Sequence, residues 1–218
     1  NEISGLILNM DGKEFYSRLI GRFNAYNLLT VFAVSTLLGE DKLKSLSALS
    51  NLKSVEGRFQ YVKGQSGPTA IVDYAHTPDA LDNVLKTINA IRTGNEQLIT
   101  VVGCGGNRDK TKRPTMAKIA VSESNKAIFT SDNPRFEEPG DILKDMQAGV
   151  GPTDFRKTLT IEDRREAIKT ALMLSQKGDI VLIAGKGHED YQIIGKEVIE
   201  LSDIKIAHLC LENSKIDR

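Results

Sequence analysis

The sequence predicts an α/β protein with a doubly wound, mostly parallel sheet, preceded by the end of a second domain. Three observations carry that prediction. From about residue 53 onward, short apolar runs alternate with amphipathic stretches, the rhythm of strand, turn and helix. The runs "TAIV", "LITVV", "KAIF" and "IVLIA" lack the polar alternation of a half-exposed sheet, as expected when helices cover both faces. Each run also ends in a polar loop, while the opposite ends are plain connections.

The elements follow in order. "NEISGLILNMDGKEFYSRLIG" (1–21) reads as two strands around an Asp-Gly turn, and a chain that opens on Asn1 in mid-hairpin reads as a fragment. "AYNLLTVFAVSTLLG" (25–39) has helical spacing and stops at Gly39; "DKLKSLSALSNL" (41–52) is a second, shorter helix. The strand–helix pairs come next: 69–75 with 78–92, 97–103 with 113–124, 126–132 with 138–149, and 158–160 with 162–175. The strand 179–185 leads into a loop, 191–201 is a terminal hairpin around Gly195, and 202–214 is a closing helix capped by Ser202. The boundary falls near residue 53. Residues 1–52 are the tail of one domain and 53–218 a complete doubly wound domain.

The bulk properties narrow the function. The 218 residues carry 29 basic and 29 acidic side chains, so no general attraction to nucleic acid or anionic membrane is expected. Cys104 and Cys210 lie far apart and read as reduced thiols, without a disulfide framework or metal spacing. There is no signal peptide and no apolar run of membrane-spanning length, so the cytoplasm is the expected location.

In open parallel sheets, ligands bind beyond the carboxyl ends of the strands. Four such ends carry chemistry here: Asp73-Tyr74-Ala75-His76; "GCGGNRD" (103–109); "SDNPR" (131–135); and "GKGHE" (185–189). "GCGGNRDKTKRP" is either an anion-cradling loop or a tight strand–helix turn, and lacks both the G-x-G-x-x-G and the P-loop spacing. That absence disfavours a dehydrogenase. Lys186 and Glu189 are solvated loop residues or site residues. A carboxylate such as Asp73 at a buried strand end needs a partner, and a ribose hydroxyl is a common one. Asn24 is expected to cap the helix it precedes, whereas Asn27 lies inside that helix, where Asn is unfavourable and binding more plausible. Arg58, in "VEGRF" (55–59), is a linker arginine or a phosphate clamp. "DRREAIKTALMLS" reads as a charged amphipathic helix that needs no functional role.

Taken in order, "GRFNAYN", "VEGRF", "VDYAHTPDAL", "GCGGNRDKTKRPTM", "SDNPRFEEP" and "GKGHEDYQ" resemble the Mur ligase family, and within it the enzymes that select meso-diaminopimelate. The likeness spans nearly the whole chain. It implies an ATP- and Mg2+-dependent amide ligase of peptidoglycan precursor synthesis, acting on a UDP-N-acetylmuramoyl dipeptide through an acyl phosphate. It makes residues 1–52 the end of the central ATP-binding domain and 53–218 a Rossmann-like amino-acid-binding domain. The family's P-loop, magnesium ligands and modified lysine lie upstream of the matched region, so this piece alone is expected to be inactive, with no metal site of its own.

Residue by residue, the resemblance makes Asn27 an adenine-side contact and Arg58 the arginine that reaches the γ-phosphate. Asp73 would hold the ribose, with Tyr74 and His76 lining the same region. Arg108 and Arg135 would contact carboxylates of the amino acid, with Asn133 beside them and Pro134 stiffening the backbone. The Gly185 carbonyl and Glu189 carboxylate would receive the distal ammonium. Lysine-adding relatives usually lack the arginine of the Asp-Asn-Pro-Arg tetrad. Lysine would leave Arg135 unpaired, a penalty of roughly 2–5 kcal/mol. Asn107 departs from the family, which often carries Asp there. A lysine-adding ligase and a stand-alone amino-acid or nucleotide-binding module are the alternatives.

Overall fold

The computed structural model describes residues 5–64 and 67–213; the ends of the expected opening hairpin and closing helix, at 1–4 and 214, lie outside them. The chain forms two compact units, one of residues up to 55 with Thr87–Arg92 and one of Glu56–Lys86 with the residues from Thr93 on.

In the first unit, β1 (Leu6–Met10) and β2 (Lys13–Ser17) pair antiparallel around Asp11-Gly12, both at positive φ. The hairpin packs on α1 (Arg22–Leu37) and α2 (Lys42–Ser50) through Leu6, Met10, Leu28, Phe32, Leu46 and Leu49. Gly39, at φ 86, ends the first helix in the left-handed conformation that favours glycine. Asn24 is not the N-cap. Helix α1 begins earlier, at Arg22 behind Gly21, and the Asn24 amide donates back to the Ile20 carbonyl at 2.7 Å.

The second unit is built on a six-stranded sheet. Its strands are β3 (Gln60–Lys63), β4 (Thr69–Asp73), β5 (Leu98–Val102), β6 (Lys126–Phe129), β7 (Thr158–Thr160) and β8 (Ile180–Ala184), in the spatial order β3-β4-β8-β5-β6-β7. All neighbours run parallel except β3, an antiparallel edge strand that the sequence pattern did not signal. Helices α3 (Pro78–Ile91), α4 (Lys112–Glu123), α5 (Pro139–Gln147) and α6 (Arg164–Leu174) connect the strands. The hairpin of β9 (Tyr191–Ile194) and β10 (Glu197–Glu200), turning at Gly195, and helix α7 (Asp203–Asn213) complete the unit.

Because side chains alternate along a strand, the two sheet faces take different partners. Val72, Val101, Ile128, Val181 and Ile183 pack against Ala167, Ile168 and Ala171 of α6 and Ile206, Ala207 and Leu211 of α7. Helix α4 packs on β5 and β6, and α5 packs on α4. Ser202 accepts a long 3.4 Å bond from the Lys205 N–H at the start of α7.

The strand order positions the site. The register aligns Asp73 with Ala184, Ala184 with Val102, and Val102 with Phe129, so four carboxyl ends finish in one row. The chain steps one way from β4 through β5 and β6 to β7 and then reverses, β8 returning to lie between β4 and β5; such reversals are where open α/β sheets leave a crevice.

Candidate functional site

A cleft of about 400 Å³ lies beyond that row. It is lined by Tyr74, His76 and Thr77 after β4, by Gly103, Gly105, Arg108, Asp109 and Lys112 around the β5–α4 loop, by Asp132, Asn133 and Arg135 after β6, and by Gly185 and Glu189 after β8. Seven of the residues expected from sequence thus share one wall: Tyr74, His76, Arg108, Asn133, Arg135, Gly185 and Glu189.

The β6 and β8 loops are bonded directly to each other. The Asn133 side-chain amide donates to Glu189 Oε2 at 2.9 Å, and its Oδ1 accepts from Lys186 Nζ at 3.2 Å and from the Ile193 N–H at 3.0 Å. Lys186 Nζ donates to the same Glu189 Oε2 at 2.9 Å. Burial alone would raise the Glu189 carboxyl, but the Lys186 bond and charge, the Asn133 amide and the His188 charge outweigh it and hold the group below its ordinary value. Lys186 is wholly buried, so its reading as a solvated loop residue is corrected.

Arg135 sits at φ 53, uncommon for a non-glycine residue. The terminal hairpin supports that conformation: the Arg135 N–H donates to the Ile193 carbonyl at 3.0 Å, and its carbonyl accepts from Gly195 at 2.6 Å. Its Nη1 donates to the Gly106 carbonyl at 3.0 Å and to the Asn133 carbonyl at 3.3 Å. Both bonds use one nitrogen of the fork, and among the described residues Nη2 and Nε have no hydrogen-bond partner. Pro134 is buried and lines a second hollow; its carbonyl oxygen also lies where a Cβ at Gly106 would stand, so only glycine fits there.

The loop bearing Arg108 is anchored from behind. Asn107, at φ 53, donates its N–H to Glu137 and accepts from the Phe136 N–H at 3.0 Å through its side chain. Arg113, fully buried, grips Glu137 with both terminal nitrogens at 3.0 Å and reaches Asp145 at 2.8 Å. The Asn107 N–H first, with Lys110 and Arg113 behind it, pulls the Glu137 carboxyl down to about 2 against the effect of burial. Asn107 therefore has a structural use of its own, tying its loop to Phe136 and Glu137.

Arg58 and Asp73 stand at the edge of the cleft without lining it. Asp73, 6% exposed, accepts from the Phe59 N–H at 2.7 Å, and burial raises its carboxyl despite the Phe59 and Ala75 N–H groups and the Arg58 charge. That bond holds a turn in which Gly57 has φ 68 and a Cβ would collide with the backbone nitrogen of His188. The turn places the exposed Arg58 guanidinium 4.7 Å from the centroid of the Tyr74 ring, which stacks edge-on to His76 at 4.6 Å. Asn27 belongs to the first unit, on the exposed side of α1, and donates to the Asn24 side chain at 3.2 Å.

Two contributors received no individual role from the sequence: Asp132, noted only as part of its loop, and Arg164. Asp132 lines the cleft, and a Cβ at Gly185, whose φ is 118, would approach its Oδ2 to 2.9 Å. Arg164 is fully buried, which corrects the reading of its helix as merely charged and amphipathic. It forms a two-pronged pair with Asp203 at 2.8 and 2.7 Å and donates to the Ser131 carbonyl at 3.3 Å and the Ala184 carbonyl at 3.0 Å. One guanidinium thus braces the β6 and β8 strand ends across β5. The "DRRE" spelling, two arginines behind an N-cap Asp, was the only local signal.

Among the described residues, no group of three or more His, Cys, Asp and Glu could hold a metal ion, and no helix is long and apolar enough to cross a membrane. Three cations, Arg108, Lys112 and Arg135, and three carboxylates, Asp109, Asp132 and Glu189, face the cleft. Lys186, bonded to Glu189, leaves the balance positive by one. The arrangement suits a zwitterion that carries more carboxylate than ammonium.

The family model described as "Mur ligase, glutamate ligase domain" matches residues 57–187. Curated relatives from Parabacteroides distasonis and Geobacillus kaustophilus are 56% identical over 194 residues and 48% identical over 196 residues, covering 89% and 90% of this chain. Both are named UDP-N-acetylmuramoyl-L-alanyl-D-glutamate–2,6-diaminopimelate ligase. The chain spans 40% of the length of each. A solved structure of an enzyme with that name is similar at a TM-score of 0.72 and 37% identity, over 98% of this chain and 44% of its own. A UDP-N-acetylmuramate-alanine ligase from Thermotoga maritima, at 21% identity and TM-score 0.67 over 97% of this chain and 43% of its own, shares the fold.

Proposed function

The chain belongs to the Mur ligase family, and we propose that it is the amino-acid-binding part of an ATP-dependent ligase joining meso-diaminopimelate to UDP-N-acetylmuramoyl-L-alanyl-D-glutamate. In this reading residues 1–52 end a central ATP-binding domain, and 53–218 form the domain that presents the incoming amino acid. The observation that carries it is the convergence of Arg108, Arg135, Asn133 and Glu189, from three separate loops, on one cleft.

The chemistry of the ligand explains the need for that set. The attacking amine must be neutral, so the amino acid is held elsewhere. With that amine neutral, meso-diaminopimelate keeps two carboxylates and one ammonium, a net charge of minus one, which the cleft's balance complements. The free face of the Arg135 fork suits one carboxylate and Arg108 another, since guanidinium binds carboxylate in a planar, paired geometry. Glu189, using Oε1, and the Gly185 carbonyl suit the distal ammonium. L-Lysine under the same condition has no net charge and nothing for Arg135, so it is the disfavoured variant.

When bound, ATP supplies the phosphoryl group that turns the acceptor's γ-carboxylate into an acyl phosphate. The chain's own residues then hold the amine in line for attack, and the tetrahedral intermediate expels phosphate as the amide forms. Arg58 is proposed to offset charge on the transferred phosphoryl group. Asn27, Asp73, Tyr74 and His76 are proposed contacts of the nucleotide, with Asp73 also shaping the turn that presents Arg58. The Mg2+ that accompanies ATP is assigned no ligand in this chain. A cytoplasmic location goes with the reading, as ATP is a cytoplasmic substrate.

Calorimetric titration tests the proposal. Meso-diaminopimelate is expected to bind at least about tenfold more tightly than L-lysine, with Arg135→Ala erasing most of the difference. Equal binding of the two amino acids, or full selectivity in Arg135→Ala, refutes it.

A further inference from the structure

Lys186 is a buried group behind the cleft to which the proposed reaction gives no part. It is wholly buried, yet its ammonium lies 2.9 Å from Glu189 Oε2 and 3.2 Å from Asn133 Oδ1, and 5.3 Å from the centroid of the Tyr191 ring. A buried ion pair contributes little net stability compared with apolar residues of the same volume. Its position against a cleft-lining carboxylate points to another use.

We propose that Lys186 is a positioning residue: by pairing with Glu189 from inside the protein, it fixes that carboxylate's orientation and shifts selectivity toward a diamino dicarboxylate over a diamino monocarboxylate. The inference rests on the amino-acid reading of the cleft. Its physical basis has three parts. With Oε2 engaged by both Lys186 and Asn133, Oε1 is the oxygen that meets a ligand. A carboxylate shared with an internal ammonium holds a second ammonium less strongly than a bare one, so affinity moves to the carboxylate end, where Arg135 and Arg108 lie. Lys186 also supplies the single positive charge by which the cleft and its backing exceed neutrality. L-Lysine, which has only the ammonium to offer at its far end, gains little from such a pocket.

The groups facing Glu189 are Lys186, His188, Tyr74, Asp132, Asn133 and the buried Arg164. Removing the Lys186 charge leaves the burial of Glu189 less opposed, so its titration moves upward. A purely space-filling role for Lys186 would not move it.

The test compares the wild-type chain with Lys186→Met and with Lys186→Gln, which keeps a donor but no charge and carries the test if the Met variant does not fold. Binding of meso-diaminopimelate and of L-lysine is measured by calorimetry from about pH 5 to 8, and the Glu189 carboxyl is titrated by carbon NMR without ligand. The expected result is a drop of about tenfold in the preference for meso-diaminopimelate in both variants, with the Glu189 midpoint raised and binding newly weakened at the acidic end. Unchanged preference in variants of a selective wild-type chain overturns the inference alone, as does an unmoved Glu189 midpoint. A wild-type chain that binds neither amino acid overturns the cleft reading and this inference with it.

Discussion

Arg135, on the cleft, and Asn107, beside Arg108, both adopt positive φ, at 53° each; Arg135 is held by backbone bonds to the terminal hairpin and Asn107 by bonds to Glu137 and Phe136. Strain of this kind persists only where surrounding structure over-determines it. Glu137 is part of that structure, and its carboxyl at about 2 lies below the ordinary 4.5. A carboxyl depressed by folding contributes stability that is complete above the unfolded value and is lost as pH falls through the folded one. Acid unfolding of the wild type is therefore expected to consume this contribution between about pH 4.5 and 2. Glu137→Gln is expected to be less stable at neutral pH and to show a flatter pH dependence across that window, followed by circular dichroism. Parallel stability curves for the two proteins would contradict the assignment. At this scale Arg108, Asn133, Arg135 and Glu189 were legible because polar residues directly behind apolar runs stand out. The burial of Lys186 was not, because it comes from the tertiary fold, where its ammonium bonds Asn133, 53 positions away.

The strand–helix rhythm identified the parallel strands, since buried runs such as "LITVV" are distinctive. Strand β3 was missed because "QYVK" is a short edge strand with one buried residue, Val62. Spatial order was equally hidden: nothing in "IVLIA" says that β8 inserts between β4 and β5. Helices α6 and α7 meet at the buried Arg164–Asp203 pair, which also ties down the Ser131 and Ala184 carbonyls. Breaking one partner strands a buried charge, whereas replacing both removes it. Asp203→Ala is expected to cost about 3–5 kcal/mol in denaturant unfolding, and Arg164→Met with Asp203→Leu to recover most of that. A double variant as unstable as the single one would show that the carbonyl contacts, and not the paired charge, dominate.

Across the whole molecule, the sequence-level expectation of a mostly parallel α/β fold and of the ligase family holds, on the sheet and on the family match over residues 57–187. The formal net charge of zero conceals a local gathering of three cations and three carboxylates on one cleft with Lys186 behind it, which composition cannot reveal because it depends on which charges the fold gathers. The central claim is that this cleft, and not another surface, receives a diamino dicarboxylate. Amide chemical-shift mapping during titration with meso-diaminopimelate tests it most directly. Saturable shifts are predicted at Gly105–Arg108, Asn133–Arg135 and Gly185–Glu189, with L-lysine producing weaker ones. Saturation by meso-diaminopimelate that leaves those three loops unmoved would contradict the account.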